Sequence, residues 1–197
     1  MSPVFLGEAT VFLHANDEKQ IKDGVKCLQY QKIKNIVVVG GTNSLEASDF
    51  MSTNNIKIAL EQPHNLPSME DEDVKSRFRL ASQLINKGVT VAVDPTGAMT
   101  RMNTRNLPFF AGSFSAYGVE KEKAVETITL NAAKVLGIED NYGSIEVGKS
   151  ATLFISHGDA LDMRTNNLSH AYIDGREVSL QTNPVSYTHL RAHETSQ

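Results

Sequence analysis

"NIVVVGG", residues 35–41, is an unbroken β-branched run that stops on two glycines. A strand with one wet face alternates apolar and polar residues. A run without alternation belongs to a strand buried on both faces, the usual state in a parallel sheet. The flanking segments repeat the pattern. Upstream, "ATVFLHA" (9–15) reads as a strand, and "NDEKQIKDGVKCLQYQK" (16–32) as a helix. Asn16 or Asp17 is its N-cap, and Ile21, Val25 and Leu28 are spaced for one face. Downstream, "SLEASDFMSTN" (44–54) is a short helix capped at Ser44. Then come the strand "IKIALEQ" (56–62), the loop "PHNLPSMEDED" (63–73), the helix "VKSRFRLASQLINKG" (74–88) ended by Gly88, and the strand "VTVAVDP" (89–95). Four βα units in a row predict a parallel α/β sheet with right-handed crossovers.

The chain then changes character. "NLPFFAGSFSAYG" (106–118) and "EKEKAVETITLNAAKVLG" (120–137) read as two helices, the second ended by Gly137 at C′. Beyond it, short alternating strands are separated by turns at Gly148, Gly158 and Gly175. "YIDGREV" (172–178) is a hairpin signal, because Asp-Gly supplies the positive φ angles of a tight primed turn.

Bulk properties exclude several classes. The 197 residues suffice for a real core. A net charge of −4, with basic residues scattered, leaves no electrostatic footprint for nucleic acid or an anionic membrane. No apolar run approaches the ~20 residues that span a bilayer. The lone Cys27 has no partner for a disulfide or a zinc knuckle, and is expected on the buried helix face.

Of six histidines, only His14 and His64 lie at or just beyond the C-terminal ends of the predicted parallel strands, as does Asp94. Parallel α/β folds place their chemistry at that end. On position alone His14 is a ligand or a strand-end residue, His64 a ligand or an ordinary loop residue, and Asp94 a site residue or a helix-cap or turn residue. His157 and His170 are expected in solvent. "VVVGGTNS" (37–44) lacks the spacing and third glycine of a dinucleotide fingerprint, so a tight strand-to-helix turn explains it.

The end of the chain carries a resemblance. Residues 127–178 hold T-x-N-x-A-x-x-L-G, then "GSIEVGKSATL", then a strand, a glycine and a last strand. This resembles the C-terminal part of the amidohydrolase superfamily, in its imidazolonepropionase-like branch. The resemblance extends more loosely to residues 8–180, and "TRNLPFFAG" (104–112) and "GDALDMRTN" (158–166) resemble a bacterial subgroup. Ser150 departs from the acidic residue usual after Gly148-Lys149.

The resemblance implies the last four βα units of a (β/α)₈ barrel (1–137), followed by a β-sandwich segment (138–182). It implies hydrolysis of non-peptide or cyclic C–N bonds in a small-molecule substrate by water activated on a divalent metal, usually zinc. His14 then falls on the fifth-strand metal ligand. Gly40 or Gly41 stands where the sixth-strand histidine belongs. The catalytic aspartate is expected near Thr96, with Asp94 the nearest carboxylate. His64 and Arg105 are the substrate-binding candidates. The strands carrying the remaining ligands, and any signal peptide, are expected upstream. The fragment is therefore expected to bind no metal, to be inactive, and to be marginally stable with two open sheet edges. The alternative is a metal-free barrel that binds a small molecule or a protein. "VSYTHLRAHETSQ" (185–197) resembles translated library adapter, so residues 183–197, with His189 and His193, are expected to be a non-native or disordered tail.

Overall fold

The computed structural model describes residues 2–66, 72–96, 102 and 104–180. After a short helix α1 (Ser2–Leu6), the predicted alternation follows: β1 (Val11–Asp17), α2 (Glu18–Tyr30), β2 (Ile36–Asn43), α3 (Ser48–Thr53), β3 (Lys57–Glu61), α4 (Ser76–Asn86) and β4 (Val91–Asp94). The four strands are parallel, in the order β1-β2-β3-β4. In β2 both Val37 and Val38 are buried, on opposite faces. The unbroken valine run is thus a two-sided strand.

One face of the sheet meets α2, α3, α4 and α5 (Leu107–Ala116) around Val38, Ile58, Val91, Met51, Leu84 and Phe114. The other face carries Val37, Ala59 and Ala92 against Ala132 and Val135 of α7 (Leu130–Leu136). α2 is anchored as its sequence predicts. The Asp17 side chain accepts from the Gln20 N–H at 2.9 Å, and Ile21 and Val25 are fully buried. Cys27, expected on that face, is exposed. It lies about 200° around the helix from Val25, which turns it to solvent. Ser44 does not cap with its side chain. A single 3₁₀ turn (Leu45–Ala47) intervenes before α3, and the buried Ser44 hydroxyl has no partner among the described residues.

The helix expected over 120–137 is two helices, α6 (Lys121–Glu126) and α7, broken at residues 127–129. β4 is the cause. The Val93 N–H donates to the Thr127 carbonyl at 3.1 Å, and the Asn131 amide donates to the Val91 carbonyl at 3.0 Å. Both bonds lie on the side of β4 away from β3. That edge, expected to be open, has these two backbone groups satisfied by the break in the helix. The outer edge of β1 has no strand neighbour among the described residues.

The C-terminal segment forms a separate antiparallel sheet of β5 (Leu153–Ser156), β6 (Leu168–Ile173) and β7 (Arg176–Glu177). At its hairpin, Asp174 and Gly175 have φ of 47° and 77°, the primed geometry that Asp-Gly predicts. Asp174 also accepts from Ser150 Oγ and from the Tyr142 hydroxyl, and these bonds hold its carboxyl below the usual range. Replacing Gly175 by alanine is expected to cost about 1 kcal/mol in urea denaturation, because alanine resists positive φ. No cost would mean that the turn relaxes freely. The turn at 158–165 joins this segment to the main body. Leu161 is buried in the helix-side core, and Lys121 pairs with Asp159 at 2.7 Å.

Among the described residues no helix is long and apolar enough to cross a membrane. Residues 183–197, with His189 and His193, lie outside the described residues.

Candidate functional site

The C-terminal ends of β1–β4 bring some of the expected groups to one face and turn others away. His14 is exposed on β1, in register with Val39. Asp94 ends β4 in register with Glu61 and is 8% exposed. Phe12 and Asp94 line the same cavity, and His14 lies two residues beyond Phe12, so His14 and Asp94 share a face. They are not adjacent. Three strand spacings separate β1 from β4, about 14 Å along the sheet.

Asp94 accepts from the Thr96 N–H at 3.0 Å and from Thr96 Oγ1 at 2.6 Å. This is a turn closed by an aspartate on the residue two further along. The pair forms the polar end of a cavity of about 260 Å³, otherwise lined by apolar side chains including Val39, Ala59 and Ala92 of the sheet and Val135 of α7. Its chemistry is an apolar slot with one buried carboxylate at the rim.

His64 lies elsewhere. Its ring sits 5.5 Å from that of Phe78 and 5.4 Å from that of Phe110, and Nε2 is 2.9 Å from Ser113 Oγ. Ser113 Oγ also donates to the Phe109 carbonyl at 3.0 Å. If that bond holds the hydroxyl proton, His64 Nε2 is the donor to Ser113. The imidazole therefore ties the loop after β3 to α5. Partial burial between two phenyl rings lowers its pKa, because the charged form loses hydration there. The unfolded chain, with the ordinary value of 6.5, binds the proton more readily than the folded one. Stability thus falls as pH drops through 6.5 toward the lowered folded value. Urea denaturation of the parent chain and of His64→Gln at pH 7.5 and 5.5 is expected to show the greater loss in the parent. Equal losses would contradict this.

Arg105 lies exposed in a 3₁₀ turn (Thr104–Asn106). Sequence reasoning missed Thr96 and Ser113 as partners. It also missed Arg77, which is 8% exposed and ion-paired to Glu72 at 3.2 Å and Glu61 at 3.7 Å. Thr96 had a local signal, since an aspartate two residues before a threonine can close a turn on it. Ser113 and Arg77 had none, because the fold brings them to His64 and Glu61. His157 and His170 are exposed, as expected.

A metal of the kind the resemblance implies does not fit the residues present. The set offers one imidazole, one carboxylate already bonded to Thr96, and two glycines, Gly40 and Gly41, with no ligating atom in a side chain. Among the described residues no three His, Cys, Asp or Glu side chains come together to hold an ion.

A family model described as "Amidohydrolase family" matches residues 30–178. The imidazolonepropionase of Shewanella baltica (strain OS185) is 67% identical over 30 residues, covering 15% of this chain and 7% of that protein. Among solved structures, an amidohydrolase from Thermotoga maritima MSB8 aligns with a TM-score of 0.79 at 24% identity, covering 91% of this chain and 46% of that one. An adenosine deaminase from Xanthomonas campestris with bound zinc aligns with a TM-score of 0.63 at 18% identity, covering 96% and 51%. The chain spans about half the length of these two structures and a small fraction of the curated relative. With the match covering most of its length, the chain belongs to the amidohydrolase family.

Proposed function

We propose that the four-stranded sheet is the second half of a (β/α)₈ barrel, and that the complete protein hydrolyses a non-peptide or cyclic C–N bond of a small molecule. Residues 1–137 then form the barrel portion, and residues 138–182 the sandwich segment. The positive φ of 71° at Gly137, where α7 ends, supports a boundary there. One observation carries the reading: His14 and Asp94 lie on a common face at the C-terminal ends of parallel strands in a chain of this family. Parallel barrels and sheets gather their reacting groups at that end.

His14 is the metal-ligand candidate of this half. Asp94 is the proton-carrying candidate, and Thr96 holds its carboxylate in place. His64 and Arg105 are assigned to the substrate side, His64 through the loop it anchors on α5. Zinc-activated water chemistry needs more ligands than the described residues bring together, so no catalytic step is assigned to these residues alone. The reading proposed for the 197-residue chain by itself is an inactive one.

Metal analysis and a hydrolysis assay test this together. The purified chain, dialysed against zinc and washed, is expected to retain well under about one ion per chain and to leave cyclic amides intact. Stoichiometric zinc, or turnover abolished by a chelator, would overturn the inactive reading. A second reading, a metal-free barrel that binds a small molecule or a protein, is favoured by Gly40 and Gly41 at the end of β2. An H-x-H pair on the first strand of the complete protein would speak for the enzyme, and its absence for the binder.

A further inference from the structure

We infer that Gly40 and Gly41, within β2, form a built turn that excludes a side chain, so that neither position can supply a metal ligand. The inference deepens the metal-free reading and rests on it.

Backbone conformation is the first argument. Gly40 and Gly41 have φ of +98° and +64° in succession. A residue with a side chain resists the left-handed region, and +98° lies outside even the small part of it that such residues visit. Space is the second. A Cβ on Gly40 would stand 2.6 Å from Asn16 Oδ1, the end of an exposed side chain that can turn aside, so at Gly40 the backbone angle carries the exclusion. A Cβ on Gly41 would overlap Ile58 Cδ1 and lie 3.3 Å from Ser44 Oγ, and both of those residues are 0% exposed. Direction is the third. Ile58 belongs to the helix-side core, so a side chain on Gly41 would aim away from the face that carries Phe12 and Val39.

Register shows how the turn is made. Ala15 pairs with Gly40, but the next pair is Asp17 with Asn43, so β2 advances by one more residue than β1 over the same span. Gly41 and Thr42 together oppose Asn16, a bulge that follows directly on Gly40 and that bends a strand and re-aims its side chains. The Asn16 amide lies against the space that a side chain on Gly40 would need.

The test makes Gly40→His, Gly41→His and the matching alanine variants in the full chain. It reads zinc per chain, soluble yield and melting temperature. All four variants are expected to melt at least about 5 °C below the parent or to lose soluble yield severalfold, and neither histidine variant to retain more zinc than the parent. A histidine variant that melts with the parent, or holds about one zinc per chain, overturns the inference. A variant that fails to fold supports it, because exclusion is the claim. If the parent itself holds stoichiometric zinc, the metal-free reading fails, while the melting comparison still decides the turn.

Discussion

Replacing Phe114 by alanine is expected to lower the unfolding free energy by about 4 kcal/mol, the usual range for a buried aromatic being 3–5. The ring is 0% exposed and sits among α4, α5 and the helix-facing side of the sheet. Its own backbone carbonyl accepts from the Tyr117 and Val119 N–H groups that end α5, so collapse around the void would disturb that end as well. For a domain of ordinary stability, about 5–15 kcal/mol, this is about a quarter of the total or more. Urea denaturation should show a lower midpoint with an unchanged slope. Phe5→Ala, at a side chain 47% exposed, should move the midpoint far less. Similar shifts in both would place Phe114 outside the cooperative core.

The second large effect is at Gly112. A Cβ there would overlap the carbonyl oxygen of Leu161 and stand 3.1 Å from its carbon. Within α5, alanine would by itself be better than glycine by about 1 kcal/mol. The clash is with backbone, which cannot rotate aside, and overpacking of this kind costs about 1–3 kcal/mol or more. Because the overlap is with backbone, the cost lies at the upper end, about 3 kcal/mol, so Gly112→Ala is expected to destabilise by about 2 kcal/mol net and to loosen the 158–165 turn from α5. Limited proteolysis should cut that turn faster in the variant. A variant more stable than the parent, with unchanged cutting, would show that propensity prevails.

Both sites bear on what the sequence could tell. Strands were legible because burial on two faces leaves no polar alternation, as in Val37 and Val38. The N-cap of α2 and the Asp174–Gly175 turn were legible because their chemistry is local. Failures came where a distant group intervened. The break at Thr127 answers to an N–H on β4, a pairing that no 3.6-residue period records. Cys27 neighbours apolar residues in sequence but lies two positions after Val25, which turns it off their face.

At the site, position along the strand foretold that Asp94 and His14 lie at one end of the sheet, but not that Thr96 would occupy the carboxylate. His64 shared the loop position of a ligand, yet its ring turns to Phe78, Phe110 and Ser113, the last 49 residues away. The glycines at 40 and 41 were visible as missing histidines. Their φ angles and the bulge, which make the position closed rather than vacant, needed coordinates.

The guard on the edge of β4 has a consequence in time. The Asn131 amide that covers the Val91 carbonyl is 40 residues further along the chain. At synthesis rates of about 5–20 residues per second, β4 waits about 2 to 8 s for it. During that interval the nascent sheet has a bare valine-rich flank at β4, opposite the unpaired edge of β1. Aggregation through the β4 edge is then a hazard of synthesis more than of the finished state, and faster translation between residues 94 and 131 should raise soluble yield.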